Sequence, residues 1–150
     1  MPFSFSYWAY AASLVLFLTN LSARGQAPVQ PLAETLRASR WRHRVLLIVA
    51  PQTTDTNFQT QNARLAADQP ALVARDVQII RVLATELPVA DQQFLARQFE
   101  LRPGAFAVLL LGKDGGVKLR QTRPVEVAEL TELIDQMPMR RQEMRQAKRR

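Results

Sequence analysis

Three short, almost continuous apolar runs constrain this chain more than any other feature: Arg44–Ala50 (RVLLIVA), Val77–Leu83 (VQIIRVL) and residues 105–111 (AFAVLLL). A strand with one face in water alternates apolar and polar residues, so a run without that alternation needs cover on both faces. The cover has to be helical, and helical patterns fill the intervals. Phe58, Leu65 and Leu72 recur every seven residues and mark one face of a helix, which Pro70 should kink or split. Leu32 and Leu36 stand one turn apart in a short segment ending at Ser39, and Asp91 can cap a helix carrying Phe94, Leu95 and Phe99.

The remaining punctuation completes the order. Thr56 with Gln59 three residues on resembles a capping box after the first strand. Leu101, Arg102, Pro103 and Gly104 form a turn into the third strand. Lys113-Asp114-Gly115-Gly116 reads as a tight two-residue hairpin, because Asp-Gly tolerates the positive φ such a turn demands, and residues 117–120 form the fourth strand. Pro124 should open a last helix, with Glu126 and Glu129 favourable against its dipole and Val127, Leu130, Ile134 and Met137 as its core stripe. The expectation is an α/β domain of order β-α-β-α-β-β-α, with a central mixed four-stranded sheet and a C-terminal helical extension.

The ends of the chain differ from its middle. Residues 1–25 read as a targeting leader: an uncharged apolar run from Tyr7 to Leu18, polar Thr19, Asn20 and Ser22, then Ala23-Arg24-Gly25 with small residues where a signal peptidase reads. Cleavage after Gly25 would make Gln26 the first mature residue, followed by a spacer over 26–35 and a domain over 36–139. The n-region lacks Lys and Arg, so an uncleaved membrane anchor is the alternative, although the run is short of the roughly 20 residues of a comfortable span. The net charge of +7 resides mainly in the tail at 140–150, where Arg140, Arg141, Arg145, Lys148, Arg149 and Arg150 face a single acid, Glu143. Outside the leader and tail the balance is near neutral.

The chain has no cysteine and one histidine, His43. Thiol redox chemistry, a peroxidatic cysteine, zinc ribbons, iron–sulfur sites, a lipidated cysteine anchor and multi-histidine metal sites are therefore excluded, and no cofactor is expected.

Residues 106–117 (FAVLLLGKDGGV) resemble the thioredoxin segment of a strand, a Lys-Asn/Asp-Gly turn and a strand. Residues 40–51 (RWRHRVLLIVAP), 112–120 (GKDGGVKLR) and 133–144 (LIDQMPMRRQEM) are similar to a peroxiredoxin-like domain of unknown function. That family occurs in bacterial exported proteins and in vertebrate secreted proteins of the sushi-repeat and coiled-coil-domain-containing kinds. The resemblance spans about residues 36–145 and implies a thioredoxin-like fold. It also locates what is missing. The place of the redox CxxC motif holds Thr53-Thr54-Asp55-Thr56, the places of the peroxiredoxin Thr/Ser and cysteine hold Asp55 and Phe58, and the cis-proline position holds Ala107.

Three candidate sites follow. Thr53, Thr54, Asp55 and Thr56 stand at a helix N-terminus and could hold a carboxylate or phosphate, or Asp55 or Thr56 simply caps the helix. Threonine chemistry there would need a base, and His43 lies roughly 25 Å away at the far end of the first strand, beyond reach of a triad. Trp41 among Arg40, Arg42 and Arg44 is either an aromatic and basic patch or a cover over the end of the core. Arg140, Arg141, Arg145, Lys148, Arg149 and Arg150 could bind a polyanion or an anionic membrane, or form a frayed, solvated extension docked by Met137, Met139 and Met144. The expected partners are an unknown protein or other envelope component, with a possible anionic surface and no specific nucleic-acid recognition. The function that best fits is an exported, non-catalytic binding or scaffolding domain, with polyanion binding or an unrecognised enzyme at 53–56 as alternatives.

Overall fold

A computed structural model describes residues 30–149, so the leader, the spacer as far as residue 29, and Arg150 lie outside the described residues. Strand β1 (Arg44–Ala50) is buried at every position. It lies between β2 (Val77–Leu83), paired in parallel, and β3 (Ala107–Leu111), paired antiparallel, with β4 (Val117–Gln121) outside β3. The sheet order is β2-β1-β3-β4.

The period of two along β1 sends alternate side chains to opposite faces, and each face has its own core. Leu46, Ile48 and Ala50, with Val108 and Leu110 from β3, pack under α2 (Thr56–Ala67), α3 (Gln69–Val73) and α5 (Val127–Gln136) through Phe58, Leu65, Leu72, Leu130 and Ile134. Val45, Leu47 and Val49, with Leu109 and Leu111, pack under α1 (Leu32–Ser39) and α4 (Val89–Phe99) through Leu32, Leu36, Leu95 and Phe99. Each such large side chain contributes about 1.5–3 kcal/mol by leaving water. The seven-residue recurrence of Phe58, Leu65 and Leu72 is thus a buried stripe, and Pro70 does split it: α2 ends at Ala67, and the proline sits in the first turn of α3, where its missing N–H is not needed.

Several sequence expectations need correction. The second apolar run is an edge strand, not a covered one: β2 exposes Gln78 and Arg81 and fully buries only Val82. Asp91 does not cap its own helix, which starts after Pro88; it is buried and accepts a hydrogen bond at 3.2 Å from the Leu32 N–H, so it caps α1 instead. Pro124 does not open the helix after β4, since Val125 is held by Gln61 and α5 starts only at Val127. Trp41 does not cover the core; it is 68% exposed in the left-handed region at φ 66°.

The hairpin also departs from a two-residue turn. Gly115 N–H donates to the Gly112 carbonyl and Gly112 N–H to the Gly116 carbonyl, both at 2.9 Å, and the β3–β4 register shifts between Leu110 and Leu111. Only Gly115 takes positive φ, at +81°, and the Arg40 side chain lies over it, so an added Cβ would sit 2.6 Å from Arg40 Nε. Gly115→Ala is expected to lose about 1–2 kcal/mol, from left-handed strain plus displacement of Arg40. Urea unfolding of the two proteins checks this, and equal midpoints would contradict it.

Candidate functional site

The loop after β1 is closed by its own backbone and by Asp55. The Asp55 N–H donates to the Gln52 carbonyl at 3.2 Å, and its carboxylate accepts the Phe58 N–H at 2.9 Å. Asp55, in extended conformation, is therefore the N-cap of α2, and the Thr56–Gln59 capping box does not form. A cap of this kind contributes about 1 kcal/mol. Its negative charge stands where an anion would have to bind. Thr53, Thr54 and Thr56 are exposed around it, while His43 is exposed before the opposite end of β1.

The denser polar chemistry is at that opposite end. Arg44, the first residue of β1, is 1% exposed, although its run reads as a plain core strand. One terminal nitrogen donates to the Arg75 carbonyl at 2.9 Å, and both reach the Glu143 carboxylate at 3.2–3.3 Å. Glu143 belongs to α6 (Pro138–Ala147), which contains Arg145 and carries the basic tail. Lys113 from the hairpin turn joins the same carboxylate at 2.8 Å and Asp76 at 2.9 Å. Arg140 bonds Asp135 at 3.2 Å and stands 3.6 Å from Glu143, while Arg75 takes the other Asp135 oxygen at 2.6 Å.

Glu143 thus ties α6 to the start of β1 and to the hairpin. Methionines were expected to dock this segment, but of the three only Met137 is packed against the core, and Met139 is exposed. The sequence held one signal for Glu143, as the sole acid among six basic residues of the tail.

Burial alone would raise the Glu143 carboxyl, but hydrogen bonds from Lys113 and Arg44 bring it below its ordinary value. Burial would likewise lower Lys113, and its bonds to Glu143 and Asp76 outweigh that and raise it. Hydrogen bonds from Lys113, Lys118 and Arg75 respectively lower Asp76, Asp114 and Asp135 against the opposing effect of burial. The stabilisation from the four acids is complete above about pH 5 and is lost as the pH falls through their depressed values. That from Lys113 is complete below about pH 10 and is lost as the pH rises through its raised value. Chemical unfolding measured across pH should give a plateau between these limits with a fall on each side; a maximum on the acid side would contradict it.

The rest of the basic tail is arranged differently. Arg140 is engaged by Asp135 and Glu143, so it is not a free cation. Arg141 and Arg145 on α6, with Lys148 just past its end, gather beside Met144, and none forms an ion pair with a described residue. Arg149 is exposed beyond the helix.

Residues 35–143 match the family model described as Domain of unknown function (DUF4174). The chain belongs to this family. The match takes in Arg44, Lys113 and Glu143, so the whole polar cluster lies within the DUF4174 domain. Coiled-coil domain-containing protein 80 of Danio rerio is 30% identical over 137 residues, covering 75% of this chain but only 16% of that relative. Two solved structures, of Plasmodium yoelii Prx1a and Plasmodium yoelii thioredoxin peroxidase I, each align with a TM-score of 0.52 at 18% identity. Each alignment covers 67% of this chain and about three-quarters of the other (76% and 75%). The DUF4174 domain therefore has a thioredoxin- and peroxiredoxin-like fold, as its strand and turn motifs imply.

Proposed function

We propose that this domain is a non-catalytic binding or scaffolding module that works outside the cytoplasm. One observation carries the reading: the turn in the place of the thioredoxin redox centre holds no thiol, and its one ionisable side chain, Asp55, is engaged in capping α2. The frame around it is intact, with both cores filled. A fold kept in order without its reactive group fits recognition better than turnover. Export rests on residues 1–25, and N-terminal sequencing of the purified natural protein should find Gln26 first; retention of Met1 would contradict cleavage.

The test for function has two arms. The full chain should show no reduction of insulin disulfides or of peroxide above a heat-treated control. Immobilised, it should retain an identifiable component of its own cell envelope. Turnover in the first arm, or an empty column in the second, would overturn the reading.

A second reading is supported by the unpaired face of α6. Arg141, Arg145 and Lys148, with Arg149 and Arg150 beyond, would contribute at most about 5 kcal/mol at an anionic surface before screening. Changing Arg141, Arg145 and Lys148 to Gln together should abolish retention by anionic vesicles, and unchanged retention would dispose of it.

A further inference from the structure

A cavity of about 280 Å³ opens between the β3–β4 turn and the junction of α5 with α6. Its size is near the lower end of small-molecule sites. Arg44, Lys113, Lys118 and Asp114 supply its polar wall, and the 137–139 segment, with Met137 and Met139, supplies its apolar one.

The donors in this wall are not all used. Arg44 is 1% exposed, and its Nε is buried without a hydrogen-bond partner among the described residues. That N–H is sealed from solvent, so Arg44 adds positive charge behind the wall, and the open donors are those of the two lysines. Lys113 uses two of its three N–H groups, on Asp76 and Glu143. Lys118 uses one, on Asp114, whose other oxygen accepts the Gly116 N–H. Asp114, the acid in the wall, is thus already engaged by a cation and an amide. Gly112 leaves room for this pair, since a Cβ there would lie 2.6 Å from both Lys118 Cε and Asp114 Oδ1.

We propose that this cavity is a binding site for a small organic anion, a carboxylate with an apolar body. The carboxylate accepts from the free N–H groups of Lys118 and Lys113, with the Arg44 guanidinium behind them, and the body lies against Met137 and Met139. Charge-assisted bonds fix the acidic end, and methionine accommodates varied apolar shapes at the other. Inorganic oxyanions satisfy only the first half of this wall. The inference rests on the reading of the domain as a binding module and names the ligand class of one site on it.

The chain has four methionines, Met1, Met137, Met139 and Met144, so methyl-labelled methionine gives a site-resolved reporter in the full protein. Met137 and Met139 line the cavity, whereas Met144 lies on the basic face of α6. Benzoate and hexanoate should shift the Met137 and Met139 methyls saturably, with the millimolar dissociation constants usual for fragments of about ten heavy atoms, and leave Met144 in place. Lys118→Met should weaken binding about tenfold, the effect of losing one charge-assisted contact. A flat titration, equal movement of Met144, or full affinity in Lys118→Met would each overturn the site. Inorganic phosphate binding as tightly as benzoate would overturn the assigned ligand class. A flat titration leaves the non-catalytic reading standing, and turnover in the redox assays removes that reading without affecting the titration.

Discussion

Glu143→Ala is expected to remove about 3–5 kcal/mol of folding stability, the effect of breaking a buried ion pair from one side. The asymmetry of the pair sets the size. Arg44 is 1% exposed against 27% for Glu143, so the truncation leaves a guanidinium that cannot turn to water. Lys113 loses a carboxylate in the same step and retains Asp76. In a domain of this size the midpoint of thermal unfolding should fall by about 10 °C or more. Glu143→Gln keeps the acceptor and loses the charge, so it should fall between. The double change Arg44→Met with Glu143→Leu should regain much of the loss, because it leaves no uncompensated charge inside. A Glu143→Ala protein within about 1 kcal/mol of the parent would show that α6 is not held in this way.

Gln61→Leu is expected to lose about 2–4 kcal/mol while leaving volume almost unchanged. Gln61 is fully buried on α2, and its amide works like a strand neighbour: it donates to the Val125 carbonyl at 3.1 Å and accepts the Val125 N–H at 2.7 Å. Leucine fills the space but leaves both backbone groups buried and unpaired. Urea unfolding gives the magnitude. Hydrogen exchange gives the location, since the Val125 amide should lose protection even where β1 keeps it. A leucine variant as stable as the parent would mean that water or a shifted loop satisfies Val125.

What the sequence made legible was whatever depends on near neighbours. The uninterrupted runs of β1 and β3, the stripe of Phe58, Leu65 and Leu72, and the break at Pro70 follow from periods and backbone restrictions within a few residues. What was hidden depends on partners far along the chain. Asp91 is placed to cap its own helix, and the N–H it accepts belongs to Leu32, 59 residues away. Gln61 and Val125 are 64 residues apart, and Arg44 and Glu143 are 99 apart.

The same reason accounts for β2, whose composition resembles that of β1 while its place at the sheet edge is fixed by topology. Of the candidate sites, the position of the 53–56 loop was legible because it follows the first strand directly. That Asp55 rather than Thr56 caps α2 was not, because both have suitable side chains and only backbone geometry decides between them. For the tail, composition showed its charge, but helical geometry divides it into an anchored Arg140 and an outward face of Arg141, Arg145 and Lys148.

The chain has two tryptophans, of which Trp41 is the one within the described residues. Its backbone N–H is held at 2.7 Å by the Lys113 carbonyl, while its indole stands mostly in water. The native emission of this side chain is therefore already that of a solvated indole, and unfolding changes its surroundings little. The Trp41 fluorescence is nearly blind to loss of the core, which circular dichroism or hydrogen exchange would follow. It is instead a built-in sensor for whatever settles on the corner where the chain enters β1 and the hairpin turns.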